Sequence, residues 1–228
     1  MKVLQVNCVY KNGSTGKITF DLHTELLNRG IESIVCYGRG KRITEAHVYK
    51  TCGELYSKVN HLMTYISGVM YGGCYLSTKK LIKIIKKEKP DIVHLQCING
   101  YFVNIYRLIE WLKSNNIRTV VTLHAEFMYT GGCGYAIDCN QWRTSQGCGH
   151  APKCPRWRRE TKSWFFDRTG FMWKRMKQAF DGFDENLIVV SVSPWLMQRA
   201  SIAPIFQGKN HRVILNGLDT SVFHRYNT

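Results

Sequence analysis

The sequence predicts an α/β domain built on an open, doubly wound, mostly parallel sheet. Three observations carry this reading. Short apolar runs rich in β-branched residues alternate with stretches of helical periodicity, from Lys2–Cys8 to Arg212–Leu215. Turn residues stand between them, with Gly30 placed to end a helix, Pro90 to stop one and Pro194 to open one. The chain has 228 residues, 44% of them apolar, which suffices for a sizeable core. No apolar run approaches the roughly 18 residues that a membrane helix needs.

Lys2–Cys8 reads as a buried strand. A turn-rich stretch from Tyr10 to Lys17 leads into a helix whose apolar positions are Ile18, Leu22, Leu26 and Leu27, and Ile31–Tyr37 is the next strand. Glu54–Tyr71 looks helical, with glycines and aromatics near its end. Thr78–Glu88 is a lysine-rich helix carrying Leu81, Ile82, Ile84 and Ile85. Asp91–Leu95 is a strand, Ile105–Lys113 a helix and Arg118–Leu123 another strand. His124–Arg158 is a loop rich in Gly and Cys. Lys162–Phe180 reads as one amphipathic helix, Leu187–Ser191 as a strand, and Arg212–Leu215 as the last strand.

In such sheets ligands bind beyond the C-terminal strand ends. The segments starting at Asn7, Gln96, His124 and Ser193 are therefore the ones that matter. Gly13, Ser14, Thr15, Gly16 and Lys17 follow the first strand. Glycine lets backbone approach a ligand, and a helix N-terminus with a lysine beside it suits a phosphate. The segment is not a Walker A loop: position 11 is Lys rather than Gly, and Ile18 follows Lys17 where a hydroxyl would be needed. An anion-binding turn and a plain helix-capping loop both remain open from these residues. His124 ends a strand where the crevice of this fold class opens, with Glu126 beyond it. His94 lies within its strand and is expected to pack or bond internally, with Gln96 and Asn99 beyond it.

In these residues the chain resembles the N-terminal, acceptor-side domain of the retaining GT-B glycosyltransferases of family 4, as found in bacterial polysaccharide and capsule assembly. The resemblance rests on the Gly13–Lys17 segment, on Ile92-Val93-His94-Leu95-Gln96, on Val121-Thr122-Leu123-His124, on Val192-Ser193-Pro194-Trp195-Leu196 and on Val213–Phe223 with its Asn216-Gly217-Leu218-Asp219 core. It implies one Rossmann-like half of a GT-B fold over 1–215, with 124–158 as a Cys-rich loop insertion. It further implies that 216–228 begin the linker to a C-terminal donor-binding domain, so that the fragment alone is expected to be inactive. The implied reaction is a hexosyltransferase-type transfer from a nucleoside-diphosphate sugar, held mainly by the other half, to a glycan or lipid-linked acceptor. Carried over, His124 would lie beside the reacting sugar, and Gly13, Ser14, Thr15 and Gly16 would face donor phosphates or acceptor. The chain departs from the family pattern at Ala125, where an Asp is usual, and at Gln96, where a second His is usual. The first departure leaves any carboxylate role to Glu126.

Cys133, Cys139, Cys148 and Cys154 are separated by five, eight and five residues in the Gly-rich insertion. Four thiolates could hold a structural zinc and order a loop with little core of its own. Free or disulfide-paired thiols and an iron–sulfur cluster are the alternatives. Cys8, Cys36 and Cys97 lie in apolar surroundings and read as inert.

The formal net charge of +16 favours anionic partners. Lys153–Lys177 interleaves basic residues with Trp157, Trp164, Phe165, Phe166, Phe171 and Trp173. That suits an anionic membrane surface, and equally a solvated helix whose aromatic face packs on the sheet. The N-terminus lacks the pattern of a signal peptide, so a cytoplasmic location is expected, with peripheral attachment at the inner face of the membrane. A zinc-stabilised, basic nucleic-acid-binding protein is the alternative function. The order of the α/β units and the lack of a known nucleic-acid module stand against it.

Overall fold

The computed structural model describes residues 1–150, 153–217 and 220. Its strands are β1 (Lys2–Asn7), β2 (Glu32–Tyr37), β3 (Val48–Lys50), β4 (Ile92–Leu95), β5 (Thr119–Leu123), β6 (Leu187–Ser191) and β7 (Asn210–Val213). They form one seven-stranded sheet in the order β3-β2-β1-β4-β5-β6-β7. Every pairing is parallel. The order reverses direction between β1 and β4, which is where this architecture opens its crevice. There Cys8 donates its backbone N–H to the Cys97 carbonyl at 2.8 Å.

The helices are α1 (Gly13–Asn28), α2 (Glu54–Ser67), α3 (Tyr75–Glu88), α4 (Ile105–Ser114), α5 (Trp157–Thr161), α6 (Thr169–Phe180) and α7 (Pro194–Ile202). Alternation along β2 sends Ile34 and Cys36 to one face and Val35 and Tyr37 to the other. The first face packs the larger core, with Leu81 and Ile85 of α3, Leu108, Ile109 and Leu112 of α4, and Met172, Trp173 and Met176 of α6. The second joins Tyr10, Val48 and Phe20 in a smaller core beside α1. Caps fix two helix starts. The Asn104 Oδ1 accepts from Arg107 N at 3.0 Å, and the Ser193 Oγ from Leu196 N at 3.2 Å, with Pro194 at the first turn of α7.

Several boundaries differ from the sequence reading. α2 stops at Ser67, not Tyr71, because Gly68 adopts a left-handed conformation (φ 73°) and donates back to Thr64 O. β3 has only three residues and too little pattern to be read locally. β7 pairs as Asn210–Val213 against Ile188–Ser191, so Ile214 and Leu215 leave the sheet instead of completing it. The helix expected over Lys162–Phe180 begins only at Thr169 as α6; Lys162–Arg168 is non-helical, and the short α5 precedes it at Trp157–Thr161, partly in what reads as loop from the sequence. Lys162 takes a left-handed conformation, and side chains compete for the backbone there. Ser163 Oγ accepts from Phe166 N at 3.2 Å, and Asp167 Oδ1 from Thr169 N at 3.0 Å. Among the described residues, no helix is long and apolar enough to cross a membrane. Within the Val213–Phe223 segment, Leu218, Asp219 and residues 221–223 lie outside the described residues, as does most of the expected linker 216–228.

Candidate functional site

Gly13 through Lys17 form the first turns of α1 rather than a loop ahead of it. The connecting loop is shorter, with Lys11 at φ 63°. Gly13 itself has φ 67°, and Ser14 beside it is exposed. Gly16 is buried. Its carbonyl accepts from Lys11 N at 3.0 Å, and an added Cβ would stand 3.1 Å from Val9 Cγ2. Gly16 therefore serves the close approach of loop and helix. Asn12 makes no side-chain cap, so the first turn keeps backbone donors at its positive end. Lys17 is less free than the sequence suggested: its Nζ pairs with Asp21 at 2.7 Å one turn on, both side chains being well exposed.

Thr15 stands against the loop after β4. Burial raises the Cys97 thiol above its usual pKa, and hydrogen bonds from the Asn99 backbone and the Thr15 side chain oppose the rise. Cys97 Sγ also donates to Asn99 Oδ1 at 3.0 Å. Gln96 is buried, its amide donating to Gln5 Oε1 at 2.8 Å. The N-terminus of α1 and the segment after β4 thus meet at the crevice, as the strand order requires.

A cavity of about 580 Å³ runs along the α1 side of the sheet. Lys17, Gln96 and His124 line it, with His94, Thr122 and Leu215 among their neighbours. Three residues singled out from separate strand ends therefore share one space. Asn99 and Glu126 do not line it. His94 Nε2 lies 2.8 Å from Thr122 Oγ1, the internal bond expected of it. Burial pushes the His94 pKa down to about 4, and the nearby His124 adds to the same direction. His124 is also held below the ordinary imidazole value by burial. Its Nε2 is buried without a hydrogen-bond partner, as are Ser191 Oγ and Gln5 Nε2. At neutral pH His124 is thus a neutral imidazole with an unsatisfied ring nitrogen at a cavity wall. A buried polar atom left open in this way is costly unless a bound group completes it.

Glu126 is a correction. It is completely buried, and both oxygens are engaged. Oε1 accepts from Arg199 Nε at 2.5 Å and from the Tyr129 hydroxyl at 2.6 Å, and Oε2 accepts from Ala136 N. Arg199 also donates to Ala136 O at 2.9 Å. Three residues past the strand, the chain has already turned into the core, so Glu126 clamps the insertion to α7 and is not available to a substrate.

The same clamp revises the premise of the zinc expectation. The insertion has a core: Phe127, Met128, Tyr129, Ala136 and Trp142 are all buried. Its four cysteines are free thiols, with Cys133, Cys148 and Cys154 buried and Cys139 half-buried. Cys154 is lowered below the usual thiol value, first by a hydrogen bond with Cys133, whose own thiol is raised by the same bond. Among the described residues, no three His, Cys, Asp or Glu side chains are grouped closely enough to hold an ion. The thiols do gather in one place. Reading Cys spacing alone could not reveal that packing already orders the segment.

Comparison with known proteins follows the same line. The chain is 24% identical over 154 residues to the protein of Escherichia coli (strain K12) described as a colanic acid biosynthesis glycosyl transferase, WcaC. That alignment covers 63% of this chain and 38% of the relative. Among solved structures it aligns with the catalytic domain of starch synthase IV from Arabidopsis thaliana (TM-score 0.49, 13% identity, 97% of this chain and 52% of that one). It also aligns with sucrose-phosphate synthase from Thermosynechococcus elongatus (TM-score 0.46, 11% identity, 99% and 51%). The chain therefore spans well under two thirds of the length of each of these proteins. The family model for Glycosyltransferase Family 4 matches residues 15–222, nearly the whole chain. The chain belongs to glycosyltransferase family 4.

Proposed function

We propose that this chain is the acceptor-side half of a glycosyltransferase that moves a hexose from a nucleoside-diphosphate sugar to a glycan or lipid-linked acceptor in polysaccharide or capsule assembly. The donor is held mainly by a second half, and transfer proceeds with retention of configuration. The observation that carries the reading is the open Nε2 of His124 on the wall of a cavity shared with Lys17 and Gln96. Its place at the C-terminal end of β5, two strands from β1, is where this class of sheet receives ligands.

In this reading the neutral His124 orients the transferred sugar by a hydrogen bond to one of its hydroxyls. Bond breaking at the anomeric carbon sends negative charge onto the departing diphosphate, and the uncapped first turn of α1 offers backbone donors and partial positive charge to it. Lys17 adds to that field to the extent that Asp21 releases it. Placement in a family of sugar-transferring enzymes and an all-parallel sheet stand against the nucleic-acid-binding alternative.

The test is transfer from a panel of nucleoside-diphosphate sugars to lipid-linked saccharides, with the donor-binding half supplied. His124→Ala is expected to lower kcat/KM at least about tenfold, the loss of one well-placed hydrogen bond in a desolvated site. Its melting temperature should stay close to wild type. An unchanged rate would remove His124 from the site, and no transfer from any donor would overturn the function.

A further inference from the structure

We propose that α2, together with the turn joining α5 to α6, is a docking surface for an anionic lipid bilayer. The reading stands on the surface alone and does not depend on the transferase assignment. α2 is inside out. Leu55, Val59, Leu62, Met63 and Ile66 recur at helical spacing along its outer side, 39% to 75% exposed. Its inner side is polar: Ser57 and Thr64 are buried, Asn60 Oδ1 accepts from Cys74 N at 2.7 Å, and His61 stacks on Tyr101 at 4.1 Å. A helix facing water carries the opposite pattern.

The stripe does not end with the helix. Trp164 N donates to Tyr65 O at 2.7 Å, and the two rings lie 5.9 Å apart. Gly68, which closes α2, is so near this turn that an added Cβ would meet Phe166 O at 2.5 Å and Arg168 Cγ at 3.1 Å. Trp164, Phe165 and Phe166 are 48% to 64% exposed, so apolar surface continues from α2 into the turn.

Charge identifies the occupant. Lys58 on α2 and Lys162 and Arg168 flanking the turn are exposed. Among the described residues none of the three forms an ion pair, whereas Arg156, Arg175 and Lys177 nearby do. Arg168 instead lies over the Phe166 ring at 5.3 Å. Apolar side chains edged by unpaired cations, on a chain of net charge +16, fit a surface of acidic headgroups over acyl chains better than a second copy of this cationic chain. Glu54, at the start of α2, accepts from Arg39, Gly40 and Lys50 beyond the C-terminal ends of β2 and β3, and Arg39 N donates to Cys8 O beside the crevice, so the docking face and the candidate site share the C-terminal end of the sheet.

The experiment is co-sedimentation of the 228-residue chain with vesicles of phosphatidylcholine, with and without phosphatidylglycerol, at about 0.15 M salt. The anionic vesicles are expected to bind at least about tenfold more protein. The double variants Leu62→Glu/Ile66→Glu and Lys162→Glu/Arg168→Glu are each expected to lose that gain. These side chains face outward, so circular dichroism and melting should match wild type. No preference for anionic vesicles, or full binding by the Leu62→Glu/Ile66→Glu protein, overturns the proposal. So does a concentration-dependent dimer in sedimentation velocity that Leu62→Glu/Ile66→Glu abolishes, which would give the face to a second copy. Binding that vanishes when the donor-binding half is present would give it to that half and equally overturn the proposal. None of these readouts uses a sugar donor, so their failure and that of the transferase reading are separable.

Discussion

Arg199 reaches Glu126 with its Nε at 2.5 Å, and its guanidinium lies 4.7 Å from the ring of Trp142 and 4.9 Å from that of Trp195. The arginine thus joins α7 to the insertion through one charge pair and the face of Trp142, while Trp195 packs on it from α7 itself. Removing the cation leaves a buried carboxylate with no counter-charge. Arg199→Met is expected to destabilise the chain by about 3–5 kcal/mol, the usual result of breaking one side of a buried pair. Urea unfolding checks it. A loss under about 1 kcal/mol would mean the pair is not desolvated in solution.

Acid should weaken the fold through His94. Its folded pKa of about 4 lies below the ordinary 6.5 because burial disfavours the charged ring. The unfolded chain therefore binds the proton first as pH falls. The contribution is fully present above about pH 6.5 and is lost progressively down to about pH 4. The whole effect is on the order of 3 kcal/mol. Denaturant midpoints measured from pH 7 to pH 4.5 should fall in wild type and fall less in His94→Asn.

Gly147 is a packing requirement of the insertion. Its φ is 74°, and a Cβ there would stand 2.1 Å from the Trp173 ring. Because Trp173 is buried in the main core, it has nowhere to yield. Gly147→Ala is expected to cost at least about 3 kcal/mol, by strain and overpacking together. Near-native melting of this variant would show the insertion to be looser than described.

Chelation addresses the four cysteines. A zinc that ordered the insertion would supply folding energy of about 10 kcal/mol, and its removal would unfold the segment. Packing around Trp142 and the Glu126–Arg199 pair predict instead that EDTA shifts the melting temperature by no more than about 2 °C. A stoichiometric zinc content with a large drop on chelation would return the thiols to the role their spacing suggested.

The chain's local pattern determined the order of strands and helices, the parallel sheet, and the placing of Lys17, Gln96 and His124 at its strand ends. These follow from periodicity and punctuation, which act over a few residues and are written in the chain itself. Thr15 and Asn99 meet at Cys97 for the same reason, because their segments follow β1 and β4, which the topology pairs. Tertiary structure alone decided what Glu126 does, since its partner Arg199 lies 73 residues away. It alone revealed the polar inner side of α2, because apolar spacing shows that a face exists and not which way it points. The late start of α6, at Thr169 rather than Lys162, was decided likewise, by side chains such as Asp167 taking backbone donors. Local propensity sets the elements; long-range contacts decide which polar groups are already satisfied and which, like His124 Nε2, are left open.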